Sequence, residues 1–289
     1  MNSTKVPSVN YHIWEPCNMR CRFCFATFQD VKQEMRLPKG HLPEQDCITI
    51  VDKLAQAGFK KINFAGGEPT LCKWLPDLIE QAKRHGMVTS IVSNGSRITT
   101  EWLDGLNGGL DWIALSIDTV DSERLKRVGR TVRAKPITEE EYLKKIDAIK
   151  QRGIRLKINT VVTSETWQED LTNFIRLAKP ERWKMLQVLP VKGQNDEHIA
   201  DLEITKEQFE AYVQRNRIVE NDEIIVIPEN NDLMTASYIM IDPAGRFFDN
   251  ERGGHTYSRP ILEVGVGEAL QDVAIKTERF IERGGQYSW

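Results

Sequence analysis

Six short apolar runs, at residues 9–13, 61–65, 88–92, 111–117, 155–162 and 184–189, alternate with segments of helical rhythm. That alternation constrains the fold more than any other feature, because strands joined by helices pair parallel and carry the helices outside the sheet. Helices are predicted at 43–57, 75–84, near Glu101, and at 122–128, 138–152 and 168–178. Pro43 near the first turn, the periodic set Cys47, Ile48, Val51, Leu54 and Ala55, and Gly58 as a stop mark the first of them. An α/β sheet of this kind either closes fully as a barrel or stays open as a curved partial one. After Pro190 the rhythm weakens to a helix at 206–217, short strands at 224–227 and 238–241, and a last helix at 276–283. This region reads as an α+β cap, so the expected division is 1–190 for the barrel and 191–289 for the cap and tail.

Between the first strand and the first helix lies CNMRCRFC, which places Cys17, Cys21 and Cys24 in a C-x3-C-x2-C spacing. The chain has no run of 18 apolar residues, its first residues lack a secretory apolar stretch, and the formal charge is −3. These features predict a cytosolic protein with no membrane partner and no nucleic-acid polymer as ligand. A cytosolic setting keeps thiols reduced, so the trio reads as metal ligands, and Cys47 and Cys72, without a partner at motif spacing, as core or semi-exposed thiols. Three thiolates on a four-iron, four-sulfur cluster leave one iron open to a substrate or cofactor, with Phe23 and Phe25 available as shields. A zinc site completed by His12 or His41, or three buried structural cysteines, are the alternatives.

The spacing C-x3-C-x-aromatic-C, carried by Cys17, Cys21, Phe23 and Cys24, resembles the signature of the radical S-adenosylmethionine (SAM) superfamily. The resemblance implies a partial (β/α)6 radical SAM barrel, a [4Fe-4S] cluster held by those three cysteines, and SAM bound to the open iron. Reductive cleavage of SAM then yields a 5′-deoxyadenosyl radical that removes a substrate hydrogen. Just after the second predicted strand, NFAGGEPT resembles the superfamily's GGEP element, which implies that Gly66, Gly67 and Glu68 hold the methionine amino group. Ser116 and Arg130 correspond to positions associated with the SAM ribose and carboxylate.

Within the superfamily the chain resembles the viperin family. The stretches NYH, KINFAGGEP, SIVSNGS, KINTVV, RWKMLQVL, PENN, SYIMID and the terminal RGGQYSW carry this likeness from residue 10 to residue 289. It implies an antiviral enzyme that converts a ribonucleoside triphosphate, CTP or UTP, to its chain-terminating 3′-deoxy-3′,4′-didehydro form, with flavodoxin or ferredoxin as electron donor. The substrate residues it implies are Asn10, Lys61, Asn63, Asn94, Lys157, Asn159, Arg182 and Lys184. Tyr287 is expected to contact the nucleotide and to serve catalysis from a tail that closes the site. Strand geometry agrees for the Lys-x-Asn pairs, since Lys61 and Asn63, like Lys157 and Asn159, point to one face. Two departures stand out: animal viperins carry an amphipathic N-terminal extension ahead of the first strand, and Ala65 replaces their serine before GGEP. The rival readings are a radical SAM enzyme acting on another nucleotide or a peptide, and a non-enzymatic iron–sulfur protein. Many of the former carry further cysteines near the C-terminus, whereas none follows Cys72.

Overall fold

The computed structural model describes residues 6–289. Its strands are β1 (Ser8–His12), β2 (Lys61–Ala65), β3 (Val88–Ser93), β4 (Trp112–Ser116), β5 (Arg155–Val162), β6 (Arg182–Gln187), β7 (Ile225–Glu229), β8 (Met240–Ile241), β9 (Arg246–Asp249) and β10 (Thr256–Pro260). They form one ten-stranded sheet in the order β10-β9-β8-β1-β2-β3-β4-β5-β6-β7. Strands β1 to β7 are parallel to their neighbours, as the helical crossovers demand.

The period of two along each inner strand sorts the side chains into two sets. Val9, Tyr11, Ile62, Phe64, Ile113, Leu115, Leu156, Ile158, Trp183 and Met185 enter the main core. The helices Glu44–Gln56 and Leu75–Arg84 bring Cys47, Ile50, Val51 and Leu54, and Leu75, Leu78, Ile79 and Ala82, to the same core. The alternate residues, among them Asn10, Lys61, Asn63, Ser90, Ser116, Lys157, Asn159, Arg182 and Lys184, face a concave cavity of about 860 Å³. An α/β partial barrel of this kind fits the sequence reading.

Several element boundaries, and the pairing of the residues after Pro190, differ from expectation. The helix expected from 168 begins at Thr172, where an Asp170 carboxylate oxygen accepts from the Thr172 amide at 2.9 Å and its hydroxyl at 2.6 Å. The strand expected at 184–189 lies at Arg182–Gln187, in register with Lys157–Val162 on β5 and Ile225–Glu229 on β7. The residues after Pro190 do not build a sheet of their own. Strand β7 extends the β6 edge, while β8 pairs parallel to β1 and carries the antiparallel β9 and β10. An open parallel sheet leaves unpaired backbone groups at both edges, and these added strands cover them. Among the described residues, no helix is long and apolar enough to cross a membrane.

Candidate active site

The cysteine loop leaves the carboxyl end of β1 and is fixed by backbone contacts on both sides. Arg20 N donates to Gly129 O at 3.3 Å and Arg22 N to Val128 O at 2.9 Å. On the other side Gly67 N donates to Trp14 O at 2.5 Å and Glu68 N to Pro16 O at 3.0 Å. Both glycines are required by packing: a Cβ on Gly129 would lie 2.0 Å from Arg20 O, and one on Gly67 would lie 2.2 Å from Glu15 O. Cys17, Cys21 and Cys24 all line the cavity as free thiols. Burial pushes all three up, Cys21 to about 12, so a metal must take them as thiolates against that preference.

Gly66 and Gly67 also line the cavity, with Phe23, Ser116 and Arg130 nearby on its wall. Glu68 does not line it. Its Oε1 accepts from the Thr70 amide at 3.1 Å, the Thr70 hydroxyl at 2.5 Å and the Ser93 hydroxyl at 2.8 Å, and its Oε2 from the Asn94 amide at 2.8 Å. This carboxylate ties the glycine turn to the end of β3 from behind the wall. Burial raises its pKa, and those four donors oppose the rise. Asn94 is likewise committed: Nδ2 donates to Asn18 Oδ1 at 3.0 Å and Oδ1 accepts from Ser96 N at 2.9 Å, which braces the cysteine loop. Arg130 lies 5.3 Å from the Phe23 ring centroid and pairs with buried Asp118 at 2.7 Å. Burial works against its charge, yet Asp118 holds its pKa above the ordinary range.

The opposite end of the cavity is basic. Lys61 opens β2 and Arg182 opens β6, so both sit at the amino ends of strands, with Lys157 in register with Arg182. Lys184, in register with Asn159, lies one inward-facing position closer to the cysteines. Burial and then neighbouring cations press Lys61 down to about 7, and burial and Lys61 press Lys157 well below its usual range. Burial lowers Lys184 to about 8, partly offset by Glu229. Asn10 Oδ1 accepts from Asn63 Nδ2 at 2.7 Å, which leaves the buried Oδ1 of Asn63, like that of Asn159, without a donor. The Tyr287 hydroxyl accepts from both Lys61 Nζ and Lys157 Nζ.

Sequence reasoning missed the groups that hold this arrangement. Glu229, fully buried on β7, pairs with Lys184 and, at 3.6 Å, with Arg283, and accepts from the Tyr238 hydroxyl. Burial works to raise Glu229, but Lys184 and Arg283 outweigh it and hold the carboxyl low. Gln194 Oε1 accepts from Thr27 N and Phe28 N, both at 2.9 Å, and Asn195 Nδ2 donates to Phe23 O at 3.2 Å, which clamps the cysteine loop and the chain just after it. PENN and SYIMID contain Glu229 and Tyr238, yet a matched stretch does not say which residue turns inward.

A Radical SAM superfamily model matches residues 11–178. An S-adenosylmethionine-dependent nucleotide dehydratase of Lacinutrix mariniflava is 53% identical over 99% of this chain and 59% of its own length. One of Flammeovirga pacifica is 50% identical over 98% of this chain and 96% of its own length. The chain belongs to the SAM-dependent nucleotide dehydratases of the radical SAM superfamily. The dehydratase RSAD2 of Oncorhynchus mykiss is more distant, at 32% identity over 98% of this chain and 80% of the relative. Solved radical SAM structures share the fold: anSMEcpe with bound AdoMet gives a TM-score of 0.68 at 14% identity over 96% of this chain and 82% of that one. SuiB of Streptococcus suis bound to S-adenosylmethionine gives 0.62 at 18% identity, over 83% and 59%.

Membership of this family implies a [4Fe-4S] cluster and SAM, and the residues present fit both. Three thiols on one loop suit a cube with one open iron. The family match decides for the cluster over zinc, and both histidines make aromatic contacts of their own. His41 stacks on Trp14 at 4.1 Å with Nδ1 2.7 Å from Leu42 O, and His12 packs edge-on against Phe25, Phe28 and Phe248. For SAM, the glycine turn leaves backbone exposed beside the thiols, and Arg130 supplies a buried, permanently charged guanidinium.

Proposed function

We propose that this dehydratase acts on a ribonucleoside triphosphate, CTP or UTP, and forms the 3′-deoxy-3′,4′-didehydro nucleotide by 4′-hydrogen abstraction and loss of the 3′-hydroxyl as water. The observation that carries the reading is the charge pattern of one cavity. Three thiols lie at one end, and Lys61, Lys157, Arg182 and Lys184 converge at the other, with Glu229 as the carboxylate paired among them. So many buried cations with lowered pKa values favour a polyanion, and a triphosphate of about −4 charge supplies it. The nucleoside then spans the middle, where the unpaired Oδ1 atoms of Asn63 and Asn159 call for donors such as ribose hydroxyls.

When bound, the cluster and SAM supply an electron and a 5′-deoxyadenosyl radical that takes the hydrogen. The chain's own residues set what lies in reach: the cations fix the phosphate end, and the cysteine loop fixes the other. Formation of the product takes one further electron and proton, for which flavodoxin or ferredoxin is the electron source we favour. Ala65 on the cavity wall offers no hydroxyl to the base. On this proposal, reconstituted, reduced protein with SAM should yield a product one water lighter from CTP or UTP, and less from GTP or ATP. Release of 5′-deoxyadenosine with neither CTP nor UTP altered would sink the proposal.

A further inference from the structure

The half-buried Tyr287 side chain lies among the basic residues at the amino ends of β2, β5 and β6. Its hydroxyl accepts from both lysines, its ring lies 3.9 Å from the Arg182 guanidinium, and its ring centroid is 4.5 Å from Lys61 Nζ and 4.6 Å from Lys157 Nζ. The tail around it is tied down by Arg182 Nη2 donating to Gly284 O at 2.9 Å and Arg155 Nη1 to Ser288 O at 3.3 Å. Two lysine amines meeting at one oxygen suit an anionic oxygen, which favours the charged form of both. Burial instead keeps this phenol neutral, raised to about 12. A phosphate oxygen bonded by the same ammonium groups makes stronger, charge-assisted contacts, and one seat holds one oxygen.

The order of the cations sets which phosphate reaches that seat. Lys184 lies nearer the cysteine end, and Lys61 and Lys157 lie deeper, so a nucleotide with its ribose toward the thiols meets Lys184 first and the two lysines last. Resting on the proposed triphosphate reading, we infer that the Tyr287 hydroxyl stands in for a terminal-phosphate oxygen and is displaced by nucleotides whose phosphate chain reaches Lys61 and Lys157. Tyr287 is thereby a specificity residue for chain length. A monophosphate leaves it docked, and a triphosphate must evict it.

Titration calorimetry of the cluster-loaded protein with CTP and CMP tests this, using Tyr287→Phe, which keeps the ring on Arg182 and removes the competing oxygen. CTP affinity should rise about threefold to tenfold in the variant, with CMP nearly unchanged. Weaker or equal CTP binding by Tyr287→Phe would overturn the inference, as would an equal gain for CMP. A Lys157→Ala variant separates the layers. If the wild-type chain does not bind CTP, or if Lys157→Ala binds it unchanged, the triphosphate reading fails and the inference with it. If Lys157→Ala loses CTP while Tyr287→Phe gains nothing, the chain-length role alone is wrong.

Discussion

Gly129 shows how single residues far from the cysteines in sequence decide whether they can hold a cluster. Its φ is +77° and a Cβ there would meet Arg20 O at 2.0 Å, whereas Gly153, with φ +69°, has open space around it. Alanine at either site costs about 1–2 kcal/mol of left-handed backbone strain, but only at Gly129 must the cysteine loop move. Iron per chain after reconstitution should fall well below wild type in Gly129→Ala and stay near it in Gly153→Ala; equal iron in the two variants would show that the loop tolerates the shift. The lysines give a second residue-scale prediction. With burial lowering Lys61 to about 7 and Lys184 to about 8, an anion favours their charged forms, so CTP affinity should fall as pH rises from 7 to 9 and binding at pH 8 should take up protons. Calorimetry in buffers of different ionisation heat reads the uptake, and Lys61→Arg should flatten the pH profile. The cysteine spacing and the Lys-x-Asn pairs were legible because loop spacing and strand period are written in the sequence. Gly129 and the bracing of Glu68 were harder to read: the first was not singled out at all, and nothing in GGEP says that this carboxylate is held by Thr70, Ser93 and Asn94. Their surroundings come from segments distant along the chain.

At the scale of elements, the edge strand β7 carries more of the site than its place outside the predicted six strands suggested. Leu186 on β6 is in register with Glu229, and this registration sets the carboxylate among Lys184, Arg283 and Tyr238. Replacing Glu229 leaves buried Arg283 and half-buried Lys184 without their partner, a loss of about 3–5 kcal/mol. Urea denaturation of ligand-free Glu229→Leu should show a fall of that order in unfolding free energy, with saturating CTP recovering part of it as phosphate takes over the cations. An unchanged midpoint would mean that Lys184 and Arg283 reach solvent. The inner strands were readable because each alternates between a helix-covered core and the cavity. Strands β9 and β10 were not, since RFFD is buried at every position and offers no alternation, and Gly245 beside it reads as a turn. The helix at Ile261–Ala269, interrupted at Gly265 with φ +79°, was missed for a similar reason.

Across the whole molecule, the cavity has two ends with different chemistry, and the tail belongs to the end that the resemblance alone could not name. Alternating strands and helices made the open α/β barrel legible, but a terminal segment has no periodicity that says which mouth it crosses. The structure brings residues 284–289 across the amino ends of β2, β5 and β6, with Gly285 N donating to Phe280 O at 2.9 Å and a Cβ on Gly285 excluded by the Phe280 ring at 2.4 Å. On the triphosphate proposal, a tail anchored there would shut the phosphate-binding end against water while leaving the cysteine loop untouched. Removing residues 284–289 should therefore preserve iron content and cluster absorbance but open the cavity from below. A loosely held nucleotide presents its 4′ carbon poorly, and solvent gains access to the reacting end. The truncated protein should still release 5′-deoxyadenosine slowly, with the yield of dehydrated nucleotide per 5′-deoxyadenosine well below that of the intact chain. The ratio is the informative quantity, because a general loss of folding lowers both products together and leaves it unchanged. Equal ratios in truncated and intact protein would reduce the tail to a packed terminus. A lowered ratio in the truncated protein beside an undiminished ratio in full-length Tyr287→Phe, where closure persists without the competing hydroxyl, would separate sealing from the occupation of the phosphate seat.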